Sequence, residues 1–299
     1  MEAKRRVDPK DVPFVASQLR SDQQGLAGSV GLVAAPFLSP ISRQLLGDEG
    51  IAYADSTGNL RLVLDSPAVF IQAEGASTDP WARDSGRPLR SLKGPTAGRV
   101  VRALCDFRPP FGVQQLADRS DTSLGSVSRV FAFLESDALI VREPRGPVTD
   151  VKWAELIRRW TTDYSFSKTN QVQTFIEPRG LSTLQDKLRS ALLRYAISGS
   201  LAAADLAPLA PPRLAIVYVD DARAAADDLG VRPTETSANV LLAEPFDSVV
   251  YDRTRDVDGL RFATPSQVAA DLLTGPGRGP AEGEELLRWM KDNEDAWRQ

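Results

Sequence analysis

The sequence predicts a multi-domain α/β protein (α+β), and three observations carry that prediction. A chain of 299 residues exceeds one ordinary domain and suits two or three. Residues 2–75 and 181–299 alternate helical and strand patterns, as layered α/β units do. Between them the pattern reads as three helices followed by a short β ribbon. The run 76–88 is rich in Gly, Pro, Ser and Asp and reads as a linker. The expected division is 1–76, a linker 77–90, 91–165 and 166–299.

In the first segment, 15–20 reads as helix, 30–35 as a buried strand and 39–46 as helix. Residues 51–62 read as a hairpin turning at Ser56-Thr57-Gly58-Asn59, and 69–73 as a final strand. In the last segment, 181–195 reads as an amphipathic helix, and 213–219, 239–243 and 248–251 as strands. Helices are expected at 221–229, 266–273 and 281–297, with the Gly-rich run 275–280 as a turn between the last two. That run lacks the Gly-Lys-Ser/Thr of a phosphate loop. The stretch 165–179 reads as irregular.

Composition narrows the chemistry. No run approaches the roughly 20 apolar residues of a membrane span, and no secretory leader follows Met1, so a cytoplasmic protein without membrane partners is expected. The single cysteine, Cys105, excludes an intrachain disulfide and fits a reducing compartment. The chain has no histidine, which removes Ser-His-Asp and Cys-His catalysis and imidazole zinc sites. Carboxylates, lysines, hydroxyls or an oxygen-bound magnesium-type ion are what remains.

Charge is segregated. Residues 1–86 carry a net charge of −3, residues 87–199 of +7 and residues 200–299 of −8. A basic centre between acidic flanks is the distribution of a module that meets phosphate. That centre begins with a helix from Thr96, with Val100, Val101, Leu104 and Cys105 on one face. A short helix 113–119 follows, then the turn Ser120-Asp121-Thr122, then Ser123 as N-cap of a helix to about Asp137. Leu124, Val127, Phe131, Leu134 and Ala138 form its apolar stripe. This is a helix-turn-helix: small Ala117 permits a close crossing, and Asp121 falls where the backbone turns left-handed. Runs 139–143 and 148–153 around a Pro/Gly tip make a wing carrying Arg142 and Arg145.

The stretch from Gln115-Leu-Ala through Ser123-Leu-Gly-Ser-Val-Ser-Arg129 to Leu139-Ile-Val resembles a bacterial winged helix-turn-helix transcription regulator over residues 95–153. It departs from that pattern at Asp121, often Gly, and at Thr122, often apolar. The resemblance implies that Ser123, Ser126 and Arg129 face bases while Gln114, Arg119, Arg142 and Arg145 anchor the DNA backbone. Such modules also serve as protein-contact units. The helix 153–160 offers an aromatic edge for a dimer.

Glu2-Ala-Lys4, a helix, Leu32-Val-Ala-Ala-Pro36 and Gly50-Ile-Ala-Tyr-Ala-Asp-Ser-Thr-Gly-Asn59 resemble a restriction-endonuclease-like fold found ahead of such regulators. The resemblance implies a metal-binding Glu-x-Lys joined by an upstream Asp, for which a chain beginning at Met1 leaves no position. A truncated pseudo-nuclease is expected, or an upstream start that restores the strand. Asp55 and Asn59 are read as turn residues first and site candidates second. Gly199-Ser200 followed by the strand near Arg213 resembles a nucleotidyltransferase fold, including the version in AbiEi-type antitoxins. There the turn cradles a triphosphate and an Asp-x-Asp holds magnesium; on this chain those carboxylates fall near Val217 and Val219, which cannot ligate a hard cation. Asp220 and Asp221 lie one step past the strand.

The combined expectation is a non-catalytic, sequence-specific DNA-binding regulator: a winged helix flanked by a truncated endonuclease-like and a nucleotidyltransferase-like domain. No catalytic residue, metal or cofactor is expected. The expected partners are double-stranded DNA, a second copy of the chain, and a protein or small molecule at the C-terminal segment. The alternatives are an antitoxin-type protein that neutralises a partner and autorepresses its operon, or a residual magnesium-dependent nuclease or nucleotidyltransferase.

Overall fold

The structure, a computed structural model, describes residues 2–4, 7–24, 29–65, 67–77, 79–80, 89, 91–143 and 146–299, with backbone only at 2 and 3. Most of the expected linker 77–90 thus lies outside the described residues, as do Pro144 and Arg145. The chain is a mixed α/β protein with several sheets. It divides into two compact units, residues 1–89 with 131–141, and residues 90–130 with 142–299. Among the described residues no helix is long and apolar enough to cross a membrane.

In the first unit, strands β1 (Glu2–Ala3), β2 (Leu32–Ala35), β3 (Ala52–Asp55), β4 (Leu60–Asp65) and β5 (Ala68–Ala73) form one sheet in that order. β1, β2 and β3 are parallel, and the β3–β4–β5 meander is antiparallel. Helix α1 (Val12–Gln23) and helix α2 (Pro40–Asp48) link the parallel strands. Ser39 caps α2 by accepting from the Ser42 amide at 3.1 Å. Val12, Val15, Ala16 and Leu19 of α1 pack on Val33, Ala35 and Leu46, a crossover core of the kind parallel pairs require.

The second unit opens with α3 (Pro95–Asp106), α4 (Val113–Ser120) and α5 (Leu124–Ser136), the last running on into the first unit. Strands β6 (Ile140–Arg142) and β7 (Val148–Val151) follow; their connection closes where Glu143 N donates to Pro147 O at 3.2 Å. Then come α6 (Trp153–Thr161), α7 (Phe166–Thr169), β8 (Gln171–Ile176), α8 (Leu181–Ser190), β9 (Tyr195–Ser198), α9 (Gly199–Ala203) and β10 (Ala215–Val219). The chain continues through α10 (Ala222–Leu229), β11 (Arg232–Pro233), β12 (Val240–Glu244), β13 (Arg255–Val257) and β14 (Leu260–Phe262). It ends in α11 (Pro265–Leu273), α12 (Gly279–Asp292) and α13 (Glu294–Trp297). A seven-stranded sheet runs β11-β8-β12-β10-β9-β14-β13.

Five local readings are corrected. The stretch 165–179, expected to be irregular, holds α7 and β8, which pairs with β12 and β11 inside the sheet. The strand's apolar residues Val172, Phe175 and Ile176 follow no two-residue alternation among the polar Gln171, Gln173 and Thr174. The helix expected over 181–195 ends at Ser190, because Tyr195 begins β9. Ser248–Tyr251 is a 3-10 turn rather than a strand, capped where the Asp247 carboxylate accepts from Val249 N at 2.9 Å. The helix expected over 281–297 breaks at Asn293. The helix 153–160, read as a dimer edge, is α6, and its Trp153, Leu156, Ile157 and Trp160 are buried in its own unit.

Helix α11 is the unit's axis: residues 265–272 are buried along their whole length, Ser266, Gln267 and Asp271 included. The Asp271 carboxylate accepts from Tyr164 (2.6 Å), Tyr218 (2.9 Å), Gln267 (2.9 Å) and Ser198. All four donors are neutral, so burial outweighs them and raises its pKa. A raised acid pKa contributes stability that is complete below the unfolded value and lost as pH rises through the folded one. Asp271→Asn should therefore flatten the decline of stability from acid to neutral pH, measured by urea unfolding across that range; an unchanged slope would contradict this.

Candidate nucleic-acid interface

The turn between α4 and α5 is built locally. Gly112 N donates to the Gln115 side chain at 3.0 Å, closing the start of α4. The helix stops at Asp121, whose backbone is left-handed at φ 47°, as its short polar side chain tolerates. Thr122 N returns to Ala117 O at 3.0 Å, and the Ser120 hydroxyl donates to Leu116 O at 2.6 Å. Ser123 then caps α5, its hydroxyl oxygen accepting from Ser126 N at 3.2 Å.

Three of the sequence-selected residues come together. The Ser123 hydroxyl donates to Ser126 Oγ at 2.9 Å, and an Arg129 guanidinium nitrogen donates to the same oxygen at 3.3 Å. They line the outer side of the first turns of α5, where Ser123, Leu124, Gly125, Ser128 and Arg129 are exposed while Val127 and Val130 are buried. The remaining selected residues bond elsewhere. Exposed Gln114 donates to Asp118 along its own helix at 2.9 Å. Exposed Arg119 lays its guanidinium 4.4 Å from the centre of the Phe107 ring. Half-buried Arg142 donates to Gly146 O at 3.2 Å, and Arg145 is outside the described residues.

Sequence reading missed Arg99. It donates to both Asp247 oxygens at 2.9 and 3.1 Å and to the Asp121 carboxylate at 2.8 Å, tying the left-handed turn to the C-terminal half of the same unit. These hydrogen bonds, Asp247 first, raise its pKa despite burial. An open cleft of about 370 Å³ lies here, lined in part by Arg99, Asp121, Ser123, Ser126 and Asp247. The available signal was Arg99 and Arg102 interrupting the otherwise apolar run 97–105.

The basic centre is partly consumed within its own unit. Arg99 pairs with Asp247, Arg108 with Asp295 and Arg158 with Glu284, each an ion pair between the +7 and −8 segments. The face around α5 is also mixed, since Asp118 and Asp121 are exposed beside Arg119 and Arg129.

Among the described residues, the positions at which the two resemblances imply metal ligands are engaged in other ways. Asp55 accepts from Leu38 N (3.0 Å), Thr57 N (2.9 Å), Thr57 Oγ1 (2.6 Å), Asn59 N (3.1 Å) and Asn59 Nδ2 (2.8 Å), which fills its lone pairs. Lys4 N is held by Ala34 O at 2.9 Å, whereas the Glu2 side chain lies outside the described residues. In the second unit the Ser200 hydroxyl donates to buried Glu282, and the Ser198 hydroxyl to Asp271. A phosphate seated there would face two carboxylates. Val217 and Val219 are buried, and Asp221 is spent capping α10 by accepting from Arg223 N and Ala224 N at 2.9 Å. Among the described residues no group of three or more Cys, Asp or Glu side chains is placed to hold a metal ion.

No protein-family model, curated protein or solved structure matches the chain.

Proposed function

We propose that the chain is a sequence-specific transcriptional regulator that binds double-stranded DNA and carries no catalytic centre. In this reading α3, α4, α5 and the β6/β7 segment form a winged helix-turn-helix. The flanks are an endonuclease-like domain and a nucleotidyltransferase-like domain with valines, Val217 and Val219, at the positions of its carboxylates. The observation that carries it is the exposed first turns of α5, entered through a left-handed Asp121 and presenting Ser123, Ser126 and Arg129 in a hydrogen-bonded row. Small hydroxyls and one arginine at a helix start are groups that reach base edges in a major groove. The Arg129 guanidinium makes no ion pair among the described residues, so its charge is available to a base or phosphate.

The test is fluorescence anisotropy with duplexes from the region upstream of the gene, at several salt concentrations. Arg129→Ala should cost about 1–3 kcal/mol of affinity and relax preference at one base pair. Arg119→Ala should weaken all duplexes alike and flatten the salt slope. Parent-like binding by both variants would overturn the assignment.

A further inference from the structure

A second cleft, at the C-terminal end of α3, has no part in this reading. It encloses about 230 Å³ between Asp106, Arg253, Thr254, Arg255, Thr264, Pro265 and residues 295–299. Its charged side chains have hydrogen-bond or ion-pair partners, with one exception. Asp106 accepts from Arg253 at 2.8 and 3.0 Å and from Arg102 at 3.3 Å. Asp295 pairs with Arg108. Arg298 donates to Cys105 O at 3.0 Å and Leu104 O at 3.3 Å, and lies 3.6 Å from Glu294.

The exception is Arg255. Its Nε is buried without an acceptor, and no hydrogen bond or ion pair reaches its guanidinium among the described residues. Its side chain lies against Phe262, the residue opposite it in the β13–β14 register, with 5.8 Å to the ring centre. Burial lowers its pKa, and Asp205 opposes that only through space. A half-desolvated cation with no acceptor is costly, and an anion supplied from outside removes the cost.

A single guanidinium without an acceptor calls for a single anionic group. The planar edge of a guanidinium takes the two oxygens of a carboxylate in parallel hydrogen bonds. Pro265, Ala296 and Trp297 supply apolar wall for the rest of the molecule, and the Thr254 and Thr264 hydroxyls lie on the lining. We propose that this cleft binds a small organic monocarboxylate, its carboxylate on Arg255 and its apolar body against Pro265 and Trp297.

The cleft also has a route to α4. Arg253, which lines it and holds Asp106, stacks 5.0 Å from the centre of the Phe107 ring, and Arg119 of α4 stacks on the same ring at 4.4 Å. An effector role for the carboxylate rests on the DNA-binding reading; the site does not.

The probe is sodium benzoate, with acetate and inorganic phosphate at matched ionic strength, read by thermal unfolding and calorimetric titration of the full chain. Benzoate should raise the melting temperature saturably and more than acetate or phosphate. Arg255→Met should weaken benzoate binding by about 10- to 100-fold. Without ligand, its melting temperature should equal or exceed the parent's, because Arg255 has no hydrogen bond or ion pair to lose among the described residues and a methionine can still pack on Phe262. Arg255→Lys, which keeps the charge but not the planar edge, should fall between the two. The site is overturned by the absence of a saturable benzoate response, by an equal response in Arg255→Met, or by a larger response to phosphate. Anisotropy then separates the two readings. Benzoate binding with unchanged DNA affinity removes the effector role alone, and benzoate binding without any DNA binding removes the regulator reading and leaves the site.

Discussion

Asp106→Ala should lower the free energy of unfolding by about 3–5 kcal/mol, the largest single effect expected in this chain. Asp106 and Arg102 are almost fully buried in the last turns of α3. Arg102 is anchored to Gln267 at 2.8 Å and Val249 O at 3.3 Å, so it cannot swing to water when its carboxylate partner is removed. Arg253 and the Ser266 hydroxyl would lose the same acceptor. Two guanidinium groups would then share a low-dielectric site with no anion, which is more costly than an empty one. Urea unfolding measures the change, and a loss under about 1 kcal/mol would show that water replaces the carboxylate. Asp106→Asn, which keeps an acceptor but not the charge, should fall between the two.

The second large effect is expected at Asp55. Asp55→Ala deprives three backbone amides, the Thr57 hydroxyl and the Asn59 side-chain amide of one shared acceptor, at an expected cost of about 2–3 kcal/mol. Burial pushes the Asp55 carboxyl up, but the hydrogen bonds from Thr57, Asn59 and Leu38 together outweigh it, so its pKa lies below the ordinary value. For an acid whose folded pKa is depressed, the stabilisation is present above the unfolded pKa and lost as pH falls through the folded one. The protection of the Leu38, Thr57 and Asn59 amides relative to their intrinsic exchange rates should therefore fall in the parent as pH drops through the acid range, and be reduced at every pH in Asp55→Ala. Protection unchanged by the substitution would mean that the turn is held by its backbone alone. A magnesium-induced stabilisation lost in Asp55→Ala would instead support the nuclease alternative.

Much of the fold was legible where the pattern was long and apolar. The stripe Val100, Val101, Leu104 and Cys105 is buried, and so are Val127, Phe131 and Leu134. Shorter or polar-faced elements were not legible. β8 carries Gln171, Gln173 and Thr174 on exposed or half-exposed positions, and Ser248-Val-Val-Tyr251 has a strand composition that Asp247 converts to a turn. The β13–β14 hairpin had a readable signal, Asp258-Gly259 with φ of 51° and 75°, the positive pair that a two-residue hairpin needs. Its flanking strands are three residues each and hold too few apolar positions to call attention to it.

For the candidate interface, the sequence settled the cap and the turn. Ser123 reaches an amide three residues on, and Asp121 turns left-handed for reasons confined to its own side chain. Interactions that short are written into neighbouring letters. Where the charges go was decided only by packing. Arg99, Arg108 and Arg158 find their carboxylates 148, 187 and 126 residues away, and Asp106 finds Arg253 at 147. A net charge counted along the chain says how many cations a segment owns. The unit's tertiary contacts decide which of them are neutralised at home, and among the described residues Arg129 and Arg255 have no carboxylate within ion-pair distance.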